Sequence, residues 1–234
     1  MSYATLSGEQ SRRLDRLAME EFGMTGLVLM ENAGRGAVDV LCREVIDGPV
    51  LICCGKGNNA GDGFVMARHL DLRGYEARVL VWAGADELQG GLQGDAAENF
   101  KILQKTDVPI TICGDDFDPT RLDEELARAA WVVDALLGTG AKGEPRAPLD
   151  TVIERINAAT PPVLAVDLPS GLDCDTGRPA ACTIRAKVTC TFAAAKPGLA
   201  MPQAEPFVGQ VHVLDIGAPR KLIERMLAEQ RGNC

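Results

Sequence analysis

Histidine is scarce in this chain: His69 and His212 are the only two among 234 residues. So few imidazoles argue against a multi-histidine metal centre and against a Ser-His-Asp triad. His69 falls in a helical stretch and His212 in a strand-like one, and both read as structural. Positive charge is also in deficit, with 24 Lys and Arg against 33 Asp and Glu and a formal net charge of −9. No basic stripe is present, which argues against a nucleic-acid-binding surface. An anionic ligand would have to be met by local donors, not by a general positive field. Long apolar runs are missing as well. None approaches the ~20 residues of a membrane span, and residues 1–10 show no basic segment followed by an apolar one. Neither a membrane span nor a secretory leader is therefore expected, and the expected location is the cytoplasm. The eight cysteines are consistent with that location. Cys53, Cys54 and Cys190 sit in apolar, strand-like runs without metal-type spacing, so the set reads as reduced, mostly buried thiols. There is no Ser/Gly linker, internal repeat or low-complexity tract, and residues 1–234 are read as one domain.

What the chain does have is glycine in a telling place. Gly55-Lys56-Gly57-Asn58-Asn59-Ala60-Gly61-Asp62-Gly63 follows the apolar run 50–54 and leads into Phe64-Val65-Met66-Ala67-Arg68-His69-Leu70. The order reads as a buried strand, a glycine-rich turn and a helix N-terminus, an arrangement that aims backbone N–H groups and a helix dipole at an anion. Two phosphate signatures do not fit. The dinucleotide fingerprint needs G-x-G-x-x-G, and here the third glycine comes one residue late; a P-loop needs a closing Gly-Lys-Ser/Thr. By itself the stretch is either an anion site or an ordinary strand-to-helix turn that tolerates glycine.

The rest of the chain alternates. Ser7 and Gln10 have capping-box spacing, and a first helix is expected over 7–22, broken by Gly23. Thr25 is a cap for a second, in which Leu27, Met30, Gly34, Ala37, Val38, Leu41 and Val45 share a face. Strands are expected over 50–54, 77–82, 108–113, 131–134, 162–166, 187–192 and 210–214, with Pro109 placing the third near an edge. Helices are expected to follow the glycine stretch and to cover 95–105, 121–130, 149–159 and 219–230. This predicts an α/β, three-layer, Rossmann-like fold: a mainly parallel sheet with helices on both faces and an N-terminal two-helix arm.

In such a sheet ligands bind at the carboxyl ends of the strands, near the point where strand order reverses. Three strand exits are rich in glycine and carry an aspartate: residues 58–63, 134–143 and 167–177. Each has a plainer reading. Asp134 and Asp167 can cap turns, Gly138-Thr139-Gly140 can be a mobile connection instead of an anion nest, and Lys142 can be a solvated surface lysine. Ser170, between Pro169 and Gly171, resembles a tight turn. Taken together, Asn59, Asp134 and Ser170 offer oxygen donors alone, one from each exit, which suits a hard cation. With a single carboxylate among them, a monovalent ion fits better than a divalent one.

Met30-Glu31-Asn32-Ala33-Gly34, the 55–63 stretch, Val133-Asp134-Ala135-Leu136-Leu137-Gly138-Thr139-Gly140, Val166-Asp167-Leu168-Pro169-Ser170-Gly171-Leu172 and Lys196-Pro197-Gly198 occur in that order. Over residues 7–219 the chain resembles the NAD(P)HX epimerase family, also called the YjeF N-terminal domain. The resemblance implies a Rossmann-like protein that epimerises the R and S forms of hydrated NADH or NADPH, a homodimer, and a bound potassium ion. Carried over by position, it places substrate contacts on Asn58, Asn59, Ala60, Gly61 and Asp62, on Gly138, Thr139, Gly140, Ala141, Lys142, Gly143 and Glu144, and on Asp167. Potassium ligands fall on Asn59, Asp134 and Ser170, the trio already singled out by donor chemistry. Many relatives carry a fused dehydratase; this chain resembles the free-standing form, which implies functional coupling to a separate NAD(P)HX dehydratase.

The implied substrate is a hemiaminal at ring carbon 6. Protonating its hydroxyl lets it leave, and water returning to the other face gives the epimer. One positioned carboxyl group can act as acid and then base. Asp167, at a strand end facing the ring, is the expected catalyst, with Asp62 the second choice. A ribokinase-type kinase uses a loop like Ala60-Gly61-Asp62, but late in a longer chain. The other alternative is a non-catalytic nucleotide-binding or protein-interaction module of the same fold, as in decapping assembly factors or lipoprotein-binding proteins. Retention of Asn59, Asp62, Asp134, Asp167 and Ser170 favours the enzyme.

Overall fold

The computed structural model describes residues 5–83, 92–114 and 117–232 of the chain. Strand β1 (Val50–Cys54) shows how its apolar run becomes the centre of a sheet. All five residues are buried, and successive side chains leave opposite faces. Val50, Ile52 and Cys54 enter one core, Leu51 and Cys53 the other. A strand covered on both faces has no side to give to water, hence its uninterrupted apolar sequence.

With β2 (Ala77–Val81), β3 (Ile110–Ile112), β4 (Trp131–Ala135), β5 (Val163–Val166), β6 (Val188–Phe192) and β7 (Gln210–Leu214), β1 forms a seven-stranded sheet. Every pairing is parallel and the order is β3-β2-β1-β4-β5-β6-β7. The order reverses between β1 and β4, where Cys53 pairs with Asp134 and Cys54 with Ala135. β3, preceded by Pro109, is an edge strand as expected. The α/β, Rossmann-like architecture follows from these pairings.

One face is covered by α2 (Gly26–Leu41), α3 (Asn58–Leu72) and α4 (Gly94–Leu103), the other by α5 (Pro119–Arg128) and α6 (Leu149–Ala158). Helix α1 (Gly8–Phe22) begins in a capping box: Gln10 N–H donates to Ser7 Oγ at 3.2 Å, and Ser7 N–H donates to Gln10 Oε1 at 2.9 Å. Gly23, at φ 67°, ends it in the left-handed region that glycine adopts without strain. A short α7 (Glu205–Val208) precedes β7, and α8 (Arg220–Gly232) closes the chain. The N-terminal arm is sealed onto this end, with Leu14, Ala18, Leu29, Leu222 and Met226 in one cluster.

Two local expectations change. Val45 lies beyond the end of α2 and is 87% exposed, so it has no part in that helix's apolar face. The 58–63 segment is not a loop, because α3 begins at Asn58 and those residues are its opening turns. Among the described residues seven cysteines are free and six of them buried; Cys234 lies outside those residues. No helix among the described residues is long and apolar enough to cross a membrane.

Candidate active site

A cleft of about 830 Å³ opens at the carboxyl ends of the strands, over the β1–β4 reversal point. Its volume is in the range of ligand-binding clefts. The strand exits form its floor and α1 forms a wall, held down by Arg12 Nη1 donating to the Thr139 carbonyl at 3.2 Å and Gly8 N–H donating to Asp175 Oδ1 at 2.9 Å.

The opening turns of α3 sort the predicted substrate residues by helical position. Asn58, Asn59 and Asp62 line the cleft, as residues three or four apart on a helix should. Ala60 and Gly61 do not; they are buried against neighbouring elements. A side chain on Gly61 would stand 2.5 Å from Met30 Sδ and 3.0 Å from the Ala96 backbone. Gly34 plays the matching part on α2, where a Cβ would lie 2.6 Å from the Val65 side chain and 2.8 Å from the Asp62 carbonyl. These two glycines let α2 and α4 approach α3 closely enough to fix Asp62 at the cleft. No side chain caps α3 at Gly57, and Gly57, Asn58 and Asn59 at its start line the cleft.

The rest of the Met30–Gly34 motif is structural. Glu31 accepts hydrogen bonds from Arg68 at 2.5 Å and pairs with His69 Nε2 at 2.7 Å, while Asn32 Nδ2 donates to the Ile216 carbonyl at 3.0 Å.

Behind the cleft floor the predicted cation ligands meet. Asp134 is fully buried on β4, with Ser170 Oγ donating to its Oδ1 at 2.6 Å and Ser170 N–H to its Oδ2 at 2.8 Å. Leu136 N–H adds a third bond at 3.2 Å, yet no cationic side chain among the described residues offsets the charge. Burial accordingly pushes this carboxyl up to about 6, against the pull of its hydrogen bonds. Asn59 Nδ2 donates to the Leu137 carbonyl at 3.1 Å, but among the described residues its Oδ1 is buried without a hydrogen-bond partner. An orphaned amide oxygen on Asn59, tied through Leu137 to the Ser170 that bonds a buried, uncompensated carboxylate, is a donor set that fits a small cation.

Asp167 and Lys196 form the chemical centre of the floor. Lys196 is 2% exposed, and its Nζ lies 3.1 Å from Asp167 Oδ1 while donating to the Phe192 carbonyl at 3.0 Å. Asp167 also accepts from Thr139 N–H at 3.2 Å and from Thr191 Oγ1 at 3.3 Å. Its backbone sits at φ 65°, and Ala193 on the next strand exit at φ 61°. Left-handed backbone at non-glycine residues costs energy and collects where function requires a particular aim. Asp62, almost buried, has its carboxyl pushed well above the usual range by burial, then by the negative charges of Asp167 and Asp15; Lys196 opposes them.

Gly138, Thr139, Gly140, Ala141, Lys142, Gly143 and Glu144 all line the cleft mouth. Glu144 Oε2 also accepts the Ala181 N–H at 2.8 Å, tying this exit to the next. Lys142 is joined there by Lys56, Arg146 and Arg12, so the anionic chain carries a local concentration of cations at this site. The structure thereby adds Lys56, Arg146, Lys196, Ser11 and Asp15 to the residues expected at the cleft. The Lys196-Pro197-Gly198 motif was the available signal for Lys196; for Asp15 there was none, since a charged residue on an amphipathic helix ordinarily faces water.

The family model described as "YjeF-related protein N-terminus" matches residues 26–198. A protein of Pirellula staleyi named NAD(P)H-hydrate epimerase is 43% identical over 217 residues, covering 93% of this chain and 94% of that one. A protein of the same name from Rhodopirellula baltica is 44% identical, covering 93% and 86%. The bifunctional NAD(P)H-hydrate repair enzyme Nnr of Moorella thermoacetica is 42% identical over 90% of this chain, which spans 40% of that longer protein. Among solved structures, yeast ynu0 matches with a TM-score of 0.78 at 24% identity, covering 95% of this chain and 93% of the yeast chain, a likeness of fold.

Proposed function

The chain belongs to the family of YjeF-related N-terminal domains that includes these NAD(P)H-hydrate epimerases, and on that premise we infer that it interconverts the R and S forms of hydrated NADH and NADPH at ring carbon 6. It is an isomerase acting in nicotinamide nucleotide repair. The observation that carries this reading at the level of residues is the Asp167–Lys196 pair, 3.1 Å apart on the cleft floor beside buried Asp62. A hemiaminal carbon needs only a proton to release its hydroxyl as water, the ring nitrogen supplying the electron pair that forms the iminium. Water returning to the other face gives the other epimer.

Asp167 exchanges that proton. The Lys196 ammonium and the Thr139 N–H hold its carboxylate in one orientation, and proton transfer by a group so positioned is worth typically 10²–10⁴-fold. Asp62, whose protonated form is favoured by its burial, donates a hydrogen bond to the bound nucleotide. The open N-terminus of α3, the 138–144 segment and its cations suit the pyrophosphate. Asn59, Asp134 and Ser170 would hold a potassium ion, which supplies positive charge that ties the three strand exits together. The partner activity that removes the water is that of a dehydratase, a coupling supported by longer relatives named as bifunctional repair enzymes. A homodimer accounts for the apolar side chains Met19, Phe22, Leu27 and Val28, exposed around the α1–α2 turn. Cytoplasmic residence, where the reduced nucleotides and free thiols are maintained, completes the proposal.

The test supplies the protein with the epimer that a stereospecific dehydratase cannot use, together with that dehydratase, and follows the return of reduced-nicotinamide absorbance. Acceleration over spontaneous epimerisation is expected; its absence overturns the assignment.

A further inference from the structure

Epimerisation at C6 makes demands on both faces of the ring. The hydroxyl leaves from one face and water returns to the other, so a proton must be delivered on one side and removed on the other. Asp167 rises from the cleft floor and serves one side. Helix α1 forms a wall of the cleft, and its Ser11 and Asp15, one helical turn apart, both line it. Ser11 Oγ is buried with no hydrogen-bond partner, and among the described residues Asp15 makes no hydrogen bond or ion pair. Two polar side chains on one helix face that line a ligand-sized cleft, with no hydrogen bond or ion pair among the described residues, are groups kept for a ligand. Lys196 lies close enough to Asp15 and to Asp167 to be felt by both, as does Asp62 from α3, while Arg12 stands on α1 beside them.

Resting on the epimerase reading, we propose that Asp15 is a second catalytic residue, handling the proton on the ring face opposite to that served by Asp167, with Ser11 hydrogen-bonding the substrate on the same helix face. In one direction the Asp167 carboxylic acid gives its proton to the C6 hydroxyl. The C–O bond breaks with its electron pair leaving on water, and the N1 lone pair forms the N1=C6 double bond. A water on the far face then bonds to C6 through its oxygen, N1 recovers its pair, and the Asp15 carboxylate takes the released proton. Nothing is oxidised or reduced; one oxygen has exchanged with solvent and one proton has moved from floor to wall. The reverse reaction returns it. Burial raises the Asp15 carboxyl to about 6, where such a group both gives and accepts protons readily near neutral pH.

The test uses the full chain, purified epimers and water enriched in oxygen-18. Asp15→Asn is expected to lower epimerisation by at least about 10²-fold, the ordinary worth of a proton-transfer group. It should retain catalysed oxygen exchange into one epimer without inversion, because water can still leave and return on the Asp167 face. Exchange into the other epimer should fall with epimerisation. Asp15→Glu, which keeps a carboxyl on the same wall, should exchange oxygen into both epimers. The inference is overturned if Asp15→Asn epimerises like the wild type, or if exchange falls equally for both epimers. Failure of the wild type itself to epimerise would instead sink the functional reading, so the two failures are distinct.

Discussion

Replacing Asp15 by asparagine should stabilise the protein at neutral pH and leave its stability in acid unchanged. Burial raises this carboxyl from 3.8 to about 6, with Lys196 pulling down and Asp167 pushing up; Asp62 faces it from α3 and Arg12 stands beside it on α1. Below pH 3.8 both folded and unfolded chains hold the proton, so Asp15 takes nothing from stability. As pH rises toward 6 the unfolded chain releases a proton that the folded chain still binds, and stability falls. Above that range the loss is complete. At 1.36 kcal/mol per pKa unit its ceiling is about 3 kcal/mol. Asparagine keeps the shape of the side chain and removes the titration. For a chain of this length each kcal/mol moves Tm by about 2–4 °C. The variant should therefore melt several degrees above the wild type at pH 8 and within about 1–2 °C of it at pH 4, as read by circular dichroism melts across that range. A difference independent of pH, or a variant less stable at pH 8, would refute the reasoning. Combined with the expected loss of epimerisation, the result would mark Asp15 as a residue whose use in catalysis is set against stability.

Lys196→Met should lower epimerisation by at least about 10²-fold while far-ultraviolet circular dichroism stays native-like, because the carboxylate of Asp167 loses the ammonium that orients it; an unchanged coupled-assay rate would count against that role. Potassium chloride should raise the wild-type Tm above its value in sodium chloride, and Asn59→Ala should abolish the increment, since the buried Oδ1 is the proposed ligand removed; equal potassium responses in both proteins would exclude this site. Val28→Asp places a charge among the exposed apolar residues of the α1–α2 turn and should convert the proposed homodimer to monomer in light scattering, with a dimeric variant arguing that the interface lies elsewhere.

The sheet was legible in the chain because its central strands have no wet side. Residues 50–54 and 131–135 are apolar almost throughout, and the aspartate interrupting the second run marks the site. The capping box at Ser7 and Gln10 likewise stated where α1 begins. The start of α3 was not legible, since glycine and asparagine are poor helix formers and the 57–63 stretch reads as a turn. Tertiary packing overrides that preference: Gly61 presses on Met30 and Ala96, and only a helix without a side chain there can do so. Topology made the meeting of Asn59, Asp134 and Ser170 foreseeable, because all three leave neighbouring strands at one edge. It left Lys196 unassigned, because a loop lysine far along the chain usually faces water, and here it is buried against Asp167. The left-handed backbone of Asp167 carries no sequence signal at all, as aspartate is compatible with many conformations.

The carboxyl groups around Lys196 differ in their surroundings, and the difference suits the reaction. Asp62 is buried with like charges near it and is pushed well above the usual range. Asp15, on a wall more open to solvent, reaches only about 6. Asp167 is paired directly with the ammonium. Separated environments are how a site divides donor, acceptor and shuttle roles among identical side chains. An epimerase gains nothing from a strong acid or a strong base, because whichever group donates in one direction must accept in the other. A carboxyl buried just far enough to titrate near neutrality meets that condition, and one supplied by the N-terminal arm can reach the face of the ring that the strand ends cannot.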